Sequence, residues 1–150
     1  MIALKPLSAR ARCQRGNALL ELGIGFAVLF FCLSGVVQFG YSMYVYDCLE
    51  AAVSAGAAYA SRATVETANS DFETAVKNVV VYGNPGGTGS ALVPGLAVSQ
   101  VSVTRTPISG FPERITVGIN TITVNAILGT FTFTGKPNVT VRFSGEYFTP

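Results

Sequence analysis

The stretch from Leu22 to Tyr46 contains no charged side chain, and this constrains the chain more than any other feature. A helix rises about 1.5 Å per residue, so roughly 20 apolar residues cross a bilayer core of about 30 Å. The stretch, called the uncharged run, is long enough to span such a core with some tilt. It predicts one transmembrane segment at about residues 22–46.

The charges that flank the uncharged run predict how it is oriented. Four of the ten basic residues lie in the first sixteen positions, with no acidic residue among them: Lys5, Arg10, Arg12 and Arg15. Basic flanks stay in the cytoplasm, which places the N-terminus inside and everything after Tyr46 outside. The remaining six basic and eight acidic residues give a net negative charge, which argues against a nucleic-acid partner.

The composition disfavours most kinds of enzyme site. The chain has no histidine, which excludes Ser-His-Asp and Cys-His arrangements within it. Cys13, Cys32 and Cys48 are spread along the N-terminal part, so their spacing predicts neither a zinc site nor a disulfide framework. We therefore expect no catalytic residue, metal or cofactor. An exported hydrolase stays an alternative only if carboxylates that are far apart in the sequence converge in a cleft. The carboxylates of the exported part form no local pair in the sequence and are expected to be solvated surface groups: Asp71, Glu73, Glu113 and Glu146.

Two ordinary explanations of the N-terminus leave something out. A secretory signal peptide has an apolar core of about 7 to 15 residues, shorter than the uncharged run. A plain signal anchor accounts for the basic residues and the uncharged run, but it does not explain why Glu21 lies five residues after Gly16. A lone carboxylate at the edge of a membrane helix is costly, so Glu21 is a candidate functional residue.

Two segments carry a resemblance to a known family. The segment Arg15-Gly16-Asn17-Ala18-Leu19-Leu20-Glu21 resembles the cleavage motif of type IV pilins. Further along, Gln38-Phe39-Gly40-Tyr41 and the alanine-rich residues 51–62 resemble TadE-like proteins of tight-adherence (Flp) pilus systems, with Gln38 where many members have Glu. The resemblance covers about residues 15–62.

This resemblance implies a processed structural subunit, not an enzyme. A prepilin peptidase would cut after Gly16, so that residues 1–16 form a leader peptide and Asn17 becomes the new N-terminus. The chain would be a minor pilin or pseudopilin of a bacterial inner membrane, with its outer domain periplasmic or extracellular, supporting pilus assembly, adhesion and biofilm formation. Its partners would be the peptidase, other pilin subunits, the assembly machinery and membrane lipid. The alternative is a bitopic anchored protein with a β-rich binding domain outside and no filament role.

Cleavage after Gly16 gives Glu21 a physical role. The new α-amine at Asn17 is nearly as unfavourable in lipid or in a helical bundle as the carboxylate itself. The two charges can neutralise each other within one chain or between neighbours, and in a filament only a matching stagger permits this. Glu21 would then set the registry of assembly. The simpler interpretation is that Glu21 marks the headgroup boundary.

The helix is expected to continue beyond the membrane, over residues 17–62. No proline occurs from Asp47 to Arg62, and Ala52, Gly56 and Tyr59 recur at spacings of three or four. Small side chains permit close approach, so this face is predicted to pack against another helix or against the sheet of the same domain.

Residues 63–150 are predicted to form an exported α+β domain. Thr64–Asn69 is expected to break the helix, and a capping box formed by Ser70 and Glu73 is expected to begin a second helix at about 71–80. A glycine-rich surface loop follows at 84–90. From Gly95 onward apolar residues alternate with polar ones, which predicts three or four antiparallel strands, with a bulge or bend where the alternation shifts near Asn120. The predicted fold is a long N-terminal helix packed on a small antiparallel sheet with a short second helix, an α+β arrangement like that of pilins. The alternation by itself also allows another small sandwich.

Overall fold

The computed structural model of the chain describes residues 8–63, 65–66, 70–108, 111–126, 129–145 and 147–148. Side chains are described from Gly16 onward, apart from those of 65–66, 70, 108, 111–113 and 147–148. Within these residues two α-helices, a short 3-10 helix (Val98–Gln100) and seven strands occur. The α-helices and strands are, in chain order, α1 (Ser8–Arg62), β1 (Val65–Glu66), α2 (Ser70–Tyr82), β2 (Val101–Ile108), β3 (Phe111–Ile119), β4 (Thr121–Ala126), β5 (Gly129–Thr134), β6 (Asn138–Arg142) and β7 (Tyr147–Phe148). The α+β fold class predicted from the sequence is confirmed.

The chain divides into two compact units, residues 1–39 and 40–150. The first unit contains the N-terminal part of α1. The second unit, called the head, contains the rest of α1 and every other element. The head therefore begins inside the long helix, because the last turns of α1 supply part of its core.

Helix α1 is continuous from Ser8 to Arg62. No proline occurs between Pro6 and Pro85, so nothing in this stretch removes a helical N–H group. The Ala63 N–H donates to the Tyr59 carbonyl oxygen at 3.0 Å and closes the last turn. The helix begins before Asn17, so the segment expected to be a leader is helical from Ser8 onward.

Helix α2 runs from Ser70 to Tyr82, slightly beyond the predicted 71–80. Asp71 and Glu73 lie in its first turn, where carboxylates interact favourably with the helix dipole. At its C-terminus Gly83 adopts φ +77°, and its N–H donates to the Val79 carbonyl oxygen at 2.9 Å. Only glycine adopts this conformation without strain, so Gly83 ends the helix. The predicted capping box depends on the Ser70 side chain, which lies outside the described residues.

The predicted loop after α2 is present, and Asn84 holds its turn together. The Thr88 N–H donates to Asn84 Oδ1 at 3.2 Å, and Asn84 Nδ2 donates to the Thr88 carbonyl oxygen at 2.6 Å. Short polar side chains that bond to nearby backbone in this way stabilise turns.

The strands form three small sheets. β2, β3 and β6 make an antiparallel sheet in the order β2-β3-β6, and β4 pairs antiparallel with β5. The two-residue strands β1 and β7 pair in parallel. The described residues thus contain seven strands, more than the three or four expected from the alternation.

The shift of the alternation near Asn120 is a bend, one of the two alternatives that the sequence predicts, and not a bulge. It separates β3 from β4, which pair in different sheets. The Asn120 N–H donates to the Gln100 carbonyl oxygen, and the Asn120 carbonyl oxygen accepts from the Gly135 N–H. After β6, the Ser144 N–H donates to the Ser61 carbonyl oxygen at the end of α1.

The core of the head lies between the helices and the inner faces of the sheets. α1 and α2 each contribute one row of apolar side chains, and every second residue of the inner strands is buried against these rows. The largest fully buried side chains come from the two helices, from β3 and β4, and from the loop after α2: Leu49, Val53, Val76, Val80, Val81, Val93, Ile115, Val117, Ile119 and Ile122. Burying such side chains is the main favourable term in the folding of the head.

One ion pair links α2 to β2. Arg105 follows Val101 and Val103 on the inner side of β2, and its guanidinium lies 3.2 Å from Glu73 Oε1. The same guanidinium carbon lies 5.0 Å from the centre of the Phe72 ring, within the range of a cation–π contact. The arginine stem therefore covers the end of the core while its charge is matched by Glu73.

We expect Gly56→Ala to destabilise the head. A Cβ at Gly56 would overlap Val80 Cγ2, and overpacking of this kind costs about 1–3 kcal/mol, more than the roughly 1 kcal/mol gained in helix propensity. The matched control is Gly40→Ala on the same helix, where an added Cβ meets nothing within 4 Å. Thermal unfolding of the full chain in detergent, followed by tyrosine circular dichroism, should show a lower midpoint for Gly56→Ala only. Equal midpoints would contradict the close packing of α1 on α2.

We expect Glu73 and Arg105 to be coupled. Their side chains are 40 % and 23 % exposed, so the coupling energy from a double-mutant cycle with Glu73→Gln and Arg105→Met should be modest, about 0.5–1 kcal/mol. The single Arg105→Met change should cost more than Glu73→Gln, since it also removes the contact with the Phe72 ring. Urea unfolding of the four proteins measures these differences, and strictly additive effects would show that the pair does not stabilise the head.

Candidate functional site

The first unit is a helix that exposes its large apolar side chains. Each of the following is at least 45 % exposed: Leu19, Leu20, Leu22, Ile24, Phe26, Val28, Leu29, Phe30, Phe31, Leu33, Val36, Val37 and Phe39. α1 is long and apolar enough to cross a membrane, and none of its most apolar window is buried inside the chain. A surface of this extent is unfavourable in water and requires a cover of lipid or of other apolar helices.

Glu21 is the single carboxylate on this surface. It is exposed and shares one side of the helix with Ala18, Leu22, Gly25 and Phe26. Among the side chains that the structure describes, none forms a hydrogen bond or ion pair with Glu21. Its charge would have to be matched by a group from elsewhere, or by a new group on this chain, if water were removed from around it.

Gly16 and Asn17 lie within the continuous helix α1 and are exposed. Asn17 precedes Glu21 by four residues, which places the two on the same side of the helix and about 6 Å apart along its axis. An α-amine created at Asn17 would therefore lie one turn from the Glu21 carboxylate. The side chains of the four basic residues before Gly16 lie outside the described part of the chain.

Ala52, Gly56 and Tyr59 lie in the head and pack within it. Ala52 is 4 % exposed, Gly56 is buried, and Tyr59 is half-buried against the core. Gly56 faces α2, where an added Cβ would lie 3.6 Å from the Val76 carbonyl oxygen and would overlap Val80. The three residues thus contribute to contacts within one chain, with α2 as the helix that Gly56 approaches.

Three tyrosines lie at the end of the uncharged run, a feature that the sequence analysis did not single out. Tyr41 and Tyr44 are 39 % and 65 % exposed. Tyr46 contacts the Phe133 ring of β5, with ring centres 5.7 Å apart. Tyrosine is enriched where a membrane helix leaves the lipid, because its ring is apolar and its hydroxyl is polar. The sequence contains this signal as three tyrosines within six residues, directly before Asp47, the first charged residue after the uncharged run.

The described carboxylates and thiols form no grouping suited to a metal. Glu73, expected to be a solvated surface group, instead pairs with Arg105. Cys32 and Cys48 are free thiols, the first exposed and the second partly buried. Among the residues that the structure describes, no three histidine, cysteine, aspartate or glutamate side chains come together as metal ligands. The side chains of Cys13, Glu113 and Glu146 lie outside that part.

In the described residues, an apolar helix without a cover carries one carboxylate, Glu21, five residues after Gly16, and an α+β head is built around the end of the same helix. Comparison of the chain with protein-family models, with curated proteins and with solved structures gave no match.

Proposed function

We propose that this chain is a minor pilin or pseudopilin of the tight-adherence type IV pilus, a structural subunit that a prepilin peptidase trims after Gly16. The observation that carries the proposal is the position of Glu21: a lone, exposed carboxylate on an apolar helix, one turn beyond the proposed new N-terminus at Asn17. The TadE-like sequence pattern over residues 15–62 supports the same assignment.

The electrostatics of the helix explain why cleavage and assembly would be linked. Before cleavage the carboxylate of Glu21 has no described partner, and burying it in a bundle of helices is unfavourable. After cleavage each chain carries one amine and one carboxylate close together at the end of α1. Each amine can then neutralise a carboxylate on its own chain or on a neighbour, and a neighbour can be matched only at the right stagger.

The proposed topology follows from the charges and from the exposed apolar surface. The basic N-terminal residues stay in the cytoplasm, and the uncharged run crosses the bacterial inner membrane. The head is then periplasmic or, in an assembled pilus, extracellular, where it would support adhesion and biofilm formation. Lipid covers the apolar side chains of α1 before assembly, and the helices of other subunits cover them afterwards.

The N-terminus of the mature protein tests the cleavage step. Intact-mass spectrometry of the chain, purified from bacteria that carry the prepilin peptidase, should give a protein beginning at Asn17. Gly16→Leu should leave residues 1–16 attached, since the substituted side chain blocks close approach of the peptidase to the scissile bond. The matched control Gly25→Leu, also exposed on α1 with nothing within 4 Å, should be trimmed normally. A wild-type chain that retains its first sixteen residues would favour the alternative, a bitopic anchored protein with an outer binding domain.

Removing the Glu21 charge tests the assembly step separately. Glu21→Gln should be trimmed after Gly16 as usual, yet its incorporation into sheared pili should fall about tenfold or more, because the buried amine loses its partner. The ratio of sheared to membrane-bound chain, measured by immunoblot, reports this loss. Glu50→Gln is the matched control, being exposed on α1 beyond the uncharged run. Normal incorporation of Glu21→Gln would disprove the proposed registry role.

A further inference from the structure

The β4-β5 ribbon is a sheet of two strands, and the outer edge of β5 pairs with no described strand. Open edges present unpaired N–H and C=O groups, and proteins usually protect them with charged residues, proline or a bulge. The two edge strands of the larger sheet have such features: Pro107 with a register shift beside it in β2, and Arg142 in β6. β5 contains neither a charged residue nor proline, and its register with β4 is regular. Its outer edge is therefore open to another strand.

Hydrogen bonds fix which backbone groups of β5 face outward. The Gly135 N–H, directly after β5, donates to the Asn120 carbonyl oxygen at 2.7 Å, on the side of β4. Backbone groups alternate in direction along a strand, so every second residue before Gly135 also faces β4 and the others face away. The hydroxyls of Thr123 and Thr132, 3.3 Å apart, agree with this, because facing residues that exchange no backbone hydrogen bonds lie closest together. The residues whose N–H and C=O groups face outward are all threonines: Thr130, Thr132 and Thr134.

The sequence of β5 is symmetric about Thr132. From Thr130 to Thr134 it reads Thr-Phe-Thr-Phe-Thr in both directions. An antiparallel second copy centred on Thr132 would place this residue opposite its own counterpart. Thr130 would lie opposite Thr134 of the other copy, and Phe131 opposite Phe133. In each threonine pair the outward backbone groups are those with which facing residues exchange two N–H···O bonds, so the edge is complementary to itself under a two-fold axis.

Phe131 adds an apolar component to this edge. Its ring is 38 % exposed, and among the described side chains of the strands no other large apolar one is as exposed. It lies on the same face of the ribbon as its register partner Val124, which is buried. Aromatic rings that face each other across antiparallel strands contribute favourably to pairing. Contact with Phe133 of a second copy would therefore cover part of the exposed ring.

We propose that the outer edge of β5 binds β5 of a second copy of this chain, antiparallel and centred on Thr132. The two ribbons then form one sheet in the order β4-β5-β5-β4. The outer edge of β4 is approached by the loop after α2, since a Cβ added at Gly95 would lie 4.0 Å from the Thr123 carbonyl oxygen. Pairing through the ribbon therefore ends at two copies.

A second copy fits this edge better than an unrelated strand. Any extended chain offers backbone groups for pairing at an open edge. A second β5 also places threonine opposite threonine on one face and phenylalanine opposite phenylalanine on the other. The inference does not depend on trimming after Gly16 or on entry into a filament, since β5 belongs to the head alone.

Disulfide trapping tests the pairing with the full chain in a nonionic detergent. The parent protein has its three cysteines replaced by alanine, and circular dichroism checks that it is folded. Thr132→Cys should form a covalent dimer on mild oxidation, because residues that exchange hydrogen bonds across antiparallel strands have Cα atoms about 5.5 Å apart, within reach of a disulfide. The matched control Thr123→Cys is exposed on the same face of the ribbon but lies one strand further from the axis. It should give at least about tenfold less dimer, since its two copies would be three strand spacings, about 14 Å, apart.

The register is tested with the two threonines on either side of the axis. Thr130→Cys and Thr134→Cys should each give little dimer alone, since two copies of the same position would lie about 14 Å apart along the strands. An equal mixture of the two variants should give a covalent dimer that contains one chain of each. Chains of different tag length identify this mixed product on a nonreducing gel.

A charge at the axis should weaken the pairing. Thr132→Lys, added to both chains of the mixture, should lower the yield of mixed dimer several-fold, because the two lysines lie opposite each other. Thr123→Lys adds the same charge to the same face of the ribbon away from the edge, and it should leave the yield unchanged. Both residues are exposed, so neither change should lower the unfolding midpoint of the head.

Three results would overturn the inference. Equal dimer yields from Thr132→Cys and Thr123→Cys would show collision within micelles and no pairing of strands. Dimer from Thr130→Cys alone, as strong as from Thr132→Cys, would exclude the antiparallel register. Absence of dimer from every variant of the folded chain would show that β5 does not bind a second copy.

Discussion

The exclusion of water from the surface of α1 is the constraint on which the rest of the structure depends. From Leu22 to Tyr46 the helix offers no charge to water, and its large apolar side chains as far as Phe39 are exposed in the isolated chain. In water they would need a cover of lipid or of other helices, whereas from Val45 onward the head covers one side of the helix by packing on it. Glu21 stands out because it is the one charged side chain between Gly16 and Tyr46, and removing water costs a charge more than it costs an uncharged polar group.

The two helices could be predicted from the sequence because helix signals are local. Spacing of apolar residues, absence of proline and a glycine at the end are all contained in a few consecutive residues, as at Gly83. The strands were located by their alternation, but their partners were not. β3 pairs with β6 across an intervening hairpin, and β4 leaves the sheet at Asn120; both depend on contacts between residues distant in sequence. Alternation identifies a face of a strand and does not say which strand lies beside it.

The same distinction applies to the charged residues. Glu21 can be singled out because it stands alone at the edge of the uncharged run, whereas Asn17 follows only from the resemblance to the type IV pilin motif. The ion pair of Glu73 with Arg105 exists only once α2 and β2 have packed together. Arg105 also departs from the usual rule for strands, since a charged residue occupies an inward position and covers the Phe72 ring.

The shared use of α1 by both units has a consequence for the fate of the head. Leu49, Val53, Ala57 and Ala60 are fully buried, and all four belong to the helix that contains the uncharged run. A protease cutting after Arg62 would release a fragment with one wall of its interior removed, which would collapse or aggregate. Such a cut therefore does not release the head as a folded fragment, and a cut that keeps its core complete must lie before Val45, the first residue of α1 in that core.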